Sequence, residues 1–208
     1  MRIMPVGWSA RLVEVDDHEE MLAFYRGIDL LRRTTLNSGI VELVPGARTV
    51  LVEFDSAVVS AAQVDALIAE TSIEPAPDDD TEVVEIEIVY DGADIDVVCG
   101  ELGLQHDEFV TWHSGQEWSV AFTGFAPGFG YLTRPDHHAA IPRLEAPRTR
   151  VPAGAIGMAD VFTGIYPVES PGGWQIVGST DHVLFDLDRE PAATLLPGRR
   201  VRFREGVR

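Results

Sequence analysis

The sequence predicts an α+β protein in two parts, a small α/β unit over residues 1–78 and a β-rich unit over residues 79–208. Three observations carry this reading. The first part alternates short strand patterns with two apolar stripes at helical spacing. An acidic, proline-containing stretch, Glu74-Pro75-Ala76-Pro77-Asp78-Asp79-Asp80, then breaks all periodicity and reads as an exposed linker. From about Trp118 onward glycine and proline recur every few residues, which opposes long helices and favours many short strands in a barrel or sandwich.

The elements follow in order. Residues 8–15 read as one strand. Asp16 or Asp17 is placed to cap a helix to about Leu31, with Glu20 in its first turn and Met21, Leu22, Phe24, Tyr25, Ile28 and Leu31 on one face. Gly39 to Val44 and Thr49 to Phe54 read as strands joined by Pro45-Gly46-Ala47-Arg48, where proline sets φ and glycine accepts positive φ. Ser60 and Gln63 form a capping box for a helix to about Glu70. After the linker, Glu82 to Tyr90 alternates as a strand with Val84, Ile86, Ile88 and Tyr90 on one face. Short helices are expected at 94–101 and 106–113.

Composition removes several function classes. The 208 residues hold 34 Asp and Glu against 16 basic residues, every one of them Arg, for a net charge of −18. Without lysine there is no P-loop lysine, Schiff base or Ser–Lys dyad. The acidic balance opposes nucleic-acid binding and docking on an anionic membrane. Cys99 is the one cysteine, so no internal disulfide forms. The amino terminus lacks the apolar core of a signal peptide and no apolar run spans a bilayer, so a cytoplasmic protein is expected. No His or Cys spacing matches a zinc site, His137-His138 included, and no metal is expected.

Three blocks are candidates for chemistry. Between Trp118 and Thr133 the only ionisable side chain is Tyr131, and Gly124-Phe125-Ala126-Pro127-Gly128-Phe129-Gly130-Tyr131 alternates glycines with aromatics. This is either a ligand wall that a backbone approaches closely or a tight turn packed on a core. In Pro147-Arg148-Thr149-Arg150-Val151-Pro152-Ala153-Gly154, two arginines two apart on an extended segment project to one side. They are either a fork for carboxylate or phosphate or a solvated pair offsetting nearby acids. The block from Thr163 to Gly178 offers Tyr166, Glu169, Ser170 and Gln175 at turn positions, where sites tend to be built. His113 ends a helix, where it complements the dipole, and Cys99 reads as a small buried hydrophobe.

At these blocks the sequence resembles the B-subunit family of prokaryotic 5-oxoprolinase, also described as allophanate hydrolase subunit 1 and as a sporulation histidine-kinase inhibitor. The resemblance rests on VPGARTVLVEFD, HSGQEWSVAFTGFAPGFGYL, PRTRVPAGAIGMADVFTGIYPVESPGGWQIVGST and LLPGRRVRF, which together span roughly residues 39–203. It departs at Ala159-Asp160-Val161-Phe162, where many members are richer in glycine and glutamine.

The resemblance implies a cyclophilin-like β-barrel for the second part. It also implies a partner of the C type (allophanate hydrolase subunit 2-like) and, in 5-oxoprolinase, an A-type subunit. The complex opens 5-oxoproline to glutamate with ATP; which chain binds the ATP is left open. Allophanate hydrolysis in urea breakdown and kinase inhibition by protein binding are the alternative functions within the family. Residue by residue, the matching strings make Glu169 and His113 the acid–base candidates. Arg148, Arg150, Phe125, Pro127, Gly128, Phe129, Tyr131, Gly154, Thr163, Tyr166, Ser170 and Gln175 are the substrate-binding candidates. No complete nucleophile–base–orienter set is visible, so a site shared with the partner and an inactive isolated chain are expected.

Overall fold

A computed structural model describes residues 1–35, 38–71, 83–134 and 139–206. The linker at 74–80 and the pair His137-His138 lie outside the described residues. The chain divides into two compact units, Met1–Asp80 and Thr81–Arg208. Among the described residues no helix is long and apolar enough to cross a membrane.

In the first unit, β1 (Arg2–Val6), β2 (Ala10–Glu14), β3 (Ile40–Pro45) and β4 (Thr49–Phe54) form an antiparallel sheet in the order β1-β2-β4-β3. Helices α1 (His18–Thr34) and α2 (Ala61–Glu70) complete the unit. Asp17 caps α1 by accepting from the Glu20 N–H, and Ser60 with Gln63 closes the expected capping box on α2. The apolar stripe of α1 (Met21, Phe24, Ile28) packs with Val13, Val50, Val52, Phe54, Val64 and Ile68 in one core.

Two local expectations are sharpened. The strand expected at 8–15 is β2, Ala10–Glu14, and it is one arm of a hairpin: the chain reverses at Gly7, whose φ is +60°, and Trp8 stands at the hairpin tip 95% exposed. The edge strand β1 contains Pro5 and is mostly exposed, so it shows no burial alternation by which sequence could reveal it. The 45–48 turn exists, but Gly46 is not at positive φ; a Cβ there would lie 2.8 Å from Thr49 Oγ1, so close approach selects glycine.

The second unit contains β5 (Val84–Ile88), α3 (Ile95–Leu102), α4 (His106–Ser114), β6 (Glu117–Thr123), β7 (Gly130–Thr133), β8 (Arg148–Val151), β9 (Ala155–Ala159), β10 (Phe162–Ile165), β11 (Ser170–Gly172), β12 (Gln175–Ser179) and β13 (Arg200–Glu205). Seven strands form one sheet in the order β12-β9-β10-β7-β6-β13-β5, and a bridge between Val89 and Ser179 brings its two edges together into a nearly closed barrel. Strand β13 lies parallel to β5 and antiparallel to β6. Its outward arginines meet acids on both neighbours, Arg200 and Arg202 on Glu117 and Arg204 on Glu85. Strands β8 and β11 form a separate two-stranded ribbon.

Alternation along the strands sorts side chains into two layers. Ile86, Ile88, Trp118, Val120, Leu132, Ile156, Met158, Ile165, Val177 and Phe203 fill the barrel, joined by Val98 and Cys99 of α3 and Phe109 of α4. A second cluster, Phe129, Val151, Ala155, Ala159, Tyr166 and Trp174, contains the residues that alternate with them. Strand β9 is therefore buried at all five positions, Ile156 and Met158 in the barrel core and Ala155 and Ala159 in the second cluster. The second cluster is where the glycine–aromatic and arginine blocks converge.

Candidate functional site

The glycine–aromatic block is the turn from β6 to β7. Three backbone bonds tighten it: Gly124 N–H to Phe129 O, Ala126 N–H to Gly124 O and Phe129 N–H to Ala126 O. The tightness forces Phe125 to φ +66°, a conformation in which a bulky L-residue costs about 1–2 kcal/mol. Its ring is nonetheless 60% exposed, so burial does not compensate the strain. Strain kept at an exposed aromatic points to function. Beside it, Thr123, Gly124, Phe125, Ala126, Pro127 and Gly128 face Ala193, Leu195 and Leu196 across a cavity of about 400 Å³ with no charged side chain in its lining.

Phe125 also joins the aromatic cluster. It meets Phe129 and Tyr166 edge-on, with ring centroids 5.3 and 6.1 Å away. Phe129 meets Tyr166, Tyr131 and Trp174, and Tyr131 stacks on Phe122 at 4.2 Å. Gly164 of β10 makes room for this layer, since a Cβ there would lie 2.9 Å from Phe129 Cζ and 3.0 Å from Trp174.

Tyr166 is buried beneath the ribbon. A Cβ on Gly172 would fall 2.3 Å from the Tyr166 hydroxyl oxygen. Burial raises the pKa of its phenol, opposed by the Trp174 N–H and by the nearby Arg143 and Arg148 guanidinium groups. Gly154, at φ +79°, donates its N–H to Tyr166 O and so fixes the strand that carries the phenol.

The arginine fork divides between two carboxylates. Arg148 Nη2 reaches Asp94 Oδ1 at 2.7 Å and its Nη1 donates to Trp174 O. Asp94 Oδ2 accepts the Ile176 N–H at 2.7 Å. Arg150 Nη2 instead meets Glu169 Oε2 at 2.6 Å, in a pair whose side chains are 76% and 50% exposed. Ser170 lies on the same ribbon and donates its hydroxyl to Val168 O.

The two acid–base candidates sit in different environments. His113 is 0% exposed inside the barrel, stacked on Phe109 and Phe203. Its Nδ1 lies 2.9 Å from the Tyr90 hydroxyl and its Nε2 3.3 Å from Thr163 Oγ1, which in turn donates to Gly157 O. His113 and Thr163 therefore form a buried polar chain within the core, while Glu169 is on the exposed ribbon. Gln175 is also buried; its Nε2 donates to Pro142 O at 2.9 Å and its Oε1 has no partner among the described residues.

Three positions carry no signal in the sequence taken alone. Asp94 stands at the start of α3, but its side chain makes no cap bond and turns to Arg148 and Ile176 instead. Trp174 joins the aromatic layer from a loop that reads as a plain Gly-Gly turn. Arg143 is exposed on a segment held at three points: Ile141 exchanges both backbone bonds with Asp160, Pro142 O accepts from Gln175, and Leu144 N–H donates to Gly173 O. Its side chain makes no hydrogen bond or ion pair among the described residues. A free arginine in an acidic chain is a signal, but only the spatial census of acids reveals it.

Among the described residues the helix N-termini and the glycine turn do not form a phosphate cradle. Asp17, Ser60 and the Gln105–Glu108 box occupy three helix N-termini, and Asp94 places a carboxylate at the fourth. The glycine turn at 124–128 is walled by aromatics and aliphatics, without a cation.

Comparison with known proteins gives this arrangement a family. The carboxyltransferase domain, subdomain C and D, matches residues 1–195. The chain is 34% identical over 211 residues to the 5-oxoprolinase B subunit of Escherichia coli O157:H7, covering 97% of this chain and 96% of that protein. It is 38% identical over 124 residues to the 5-oxoprolinase B subunit of Bacillus subtilis (strain 168), covering 58% of this chain and 52% of that one. Among solved structures, TTHA0988 superimposes with a TM-score of 0.79 at 33% identity; 96% of this chain corresponds to 40% of that longer chain. The conserved uncharacterized protein PH0987 from Pyrococcus horikoshii matches with a TM-score of 0.57 at 34% identity, over 99% of this chain and 97% of that one. The Kluyveromyces lactis urea carboxylase shares the fold at 18% identity with a TM-score of 0.73, over 99% of this chain and 22% of its own. The chain belongs to the carboxyltransferase domain, subdomain C and D, family, alongside the proteins named as the B subunit of 5-oxoprolinase.

Proposed function

We propose that the chain is a subunit of a 5-oxoprolinase-type hydrolase that opens 5-oxo-L-proline to L-glutamate with ATP, acting with a C-type partner and an A-type subunit. One observation carries the reading: the relationship to the 5-oxoprolinase B subunit of Escherichia coli O157:H7 runs through 97% of this chain and 96% of that protein. The geometry supports a shared site. Phe125, Phe129, Tyr131, Tyr166 and Trp174 form a layer that the ribbon only partly covers, and the strained ring of Phe125 projects from it. Such aromatic surfaces anchor partners and exclude water once covered. Glu169 is the exposed acid of the surface, paired with Arg150 until a partner redirects that guanidinium. His113 acts from beneath, positioning β10 through Thr163 without touching substrate. Nucleotide binding is assigned to another subunit.

The test is ATP-dependent ring opening of 5-oxo-L-proline by the chain alone and with its co-purified partners. Turnover only in the assembled complex is expected. Full turnover by the isolated chain overturns the shared site, and absence of turnover by the complete complex overturns the reaction.

A further inference from the structure

We infer that Arg143 is the residue that holds the substrate carboxylate, taking that role from the two arginines of β8. This rests on the 5-oxoprolinase reading above. A lactam carrying a carboxylate presents an anion beside a small, mostly apolar ring. In a chain without lysine, arginine is the permanently charged donor available to that anion. Arg148 is already engaged by Asp94 and Trp174 O, and Arg150 by Glu169, so recruiting either means breaking an existing ion pair. Arg143 makes no hydrogen bond or ion pair among the described residues.

Its position is built rather than incidental. The buried amide of Gln175 holds the carbonyl just before it, and Gly173 O holds the N–H just after it. Both anchors come from the loop and strand that also carry Trp174, against which Phe129 and Tyr131 pack. The residues either side of Arg143 are thus bonded to the segment that carries Trp174, and within the same aromatic layer Tyr166 is in ring contact with Phe125 and Phe129. The aromatic layer therefore reaches, at Trp174, the anchored segment of a cation whose five N–H donors are uncommitted, which suits an apolar ring with a carboxylate at one end. Gln175 is then a positioning residue acting through Pro142.

The experiment uses the assembled complex and 5-oxo-L-proline, with Arg143→Met and Arg143→Lys. Arg143→Met is expected to raise KM at least tenfold with kcat within about twofold, and Arg143→Lys to recover part of the loss through a single point charge. The side chain is exposed and unpaired, so both variants should keep the wild-type thermal midpoint. An unchanged KM in an active Arg143→Met complex overturns this assignment and leaves the proposed reaction standing. A wild-type complex that does not open 5-oxo-L-proline overturns both.

Discussion

One carboxylate of Asp94 holds two separate pieces of the second unit: Arg148 on the ribbon at 2.7 Å and the Ile176 backbone N–H on the barrel at 2.7 Å. Asp94 is only 8% exposed, so these bonds replace much of the water its carboxylate gives up. Asp94→Ala should cost about 2–4 kcal/mol of unfolding free energy, the range for charge-assisted bonds lost at a largely buried site. Arg148→Met should cost a similar amount, because it leaves the carboxylate with its backbone donor alone. The double variant measured by chemical denaturation should lose clearly less than the sum; additive losses would show that the two residues are uncoupled.

Gly172 and Tyr166 form a second testable contact. A methyl carbon on Gly172 would sit 2.3 Å from the phenol oxygen, so Gly172→Ala must displace the ring or the ribbon. A loss of about 1–3 kcal/mol is expected, as for overpacked cores. Tyr166→Phe removes the obstructing oxygen, so the pair Gly172→Ala/Tyr166→Phe should recover part of the loss in thermal unfolding. Equal losses in the single Gly172→Ala and the pair would place the clash elsewhere.

Phe125 separates stability from function. Phe125→Gly relieves the φ +66° conformation, worth about 1–2 kcal/mol, at the expense of half-exposed ring contacts. Stability should therefore hold or rise slightly while partner co-purification and complex activity fall. A variant that loses stability and keeps activity would make the ring a packing element.

The pH response has a fixed sign. Burial holds His18 below the usual imidazole value, with Asp17 pulling the other way, and burial together with Arg189 lowers His182. Both residues stay neutral in the folded chain at a pH where the unfolded chain already binds a proton. Stability contributed this way is present above about pH 6.5 and is lost as the pH falls from there toward the lower folded values. Denaturant midpoints measured from pH 7.5 to 5 should fall, and His18→Gln should flatten the part belonging to the first unit. A midpoint that rises on acidification contradicts the burial argument.

What can be read from sequence is local. Asp17 and the Ser60–Gln63 box mark helix starts because a cap needs only residues three apart, and both are found as expected. The alternation of Val84, Ile86 and Ile88 reveals a strand because one face of it is core. The site is legible as residue types and not as an arrangement. Phe125, Phe129, Tyr131 and Tyr166 do meet, yet Arg148 and Arg150 part company because Asp94, 54 residues away from Arg148, claims one of them. His113 reads as a helix end that complements the dipole. Its burial is set by Tyr90, Thr163 and Phe203, which approach it only once the barrel forms.

The position of β13 has a consequence for synthesis. This strand is made last of those described, yet it sits between β5 and β6. A ribosome-bound chain that has emerged only as far as β12 therefore carries two strands whose facing edges have no neighbour, one of them bearing Ile86 and Ile88. Such edges invite pairing with other chains. The acids at Glu85 and Glu117 then serve twice: with Glu87 they keep those edges charged while they wait, and they receive the arginines of β13 when it arrives.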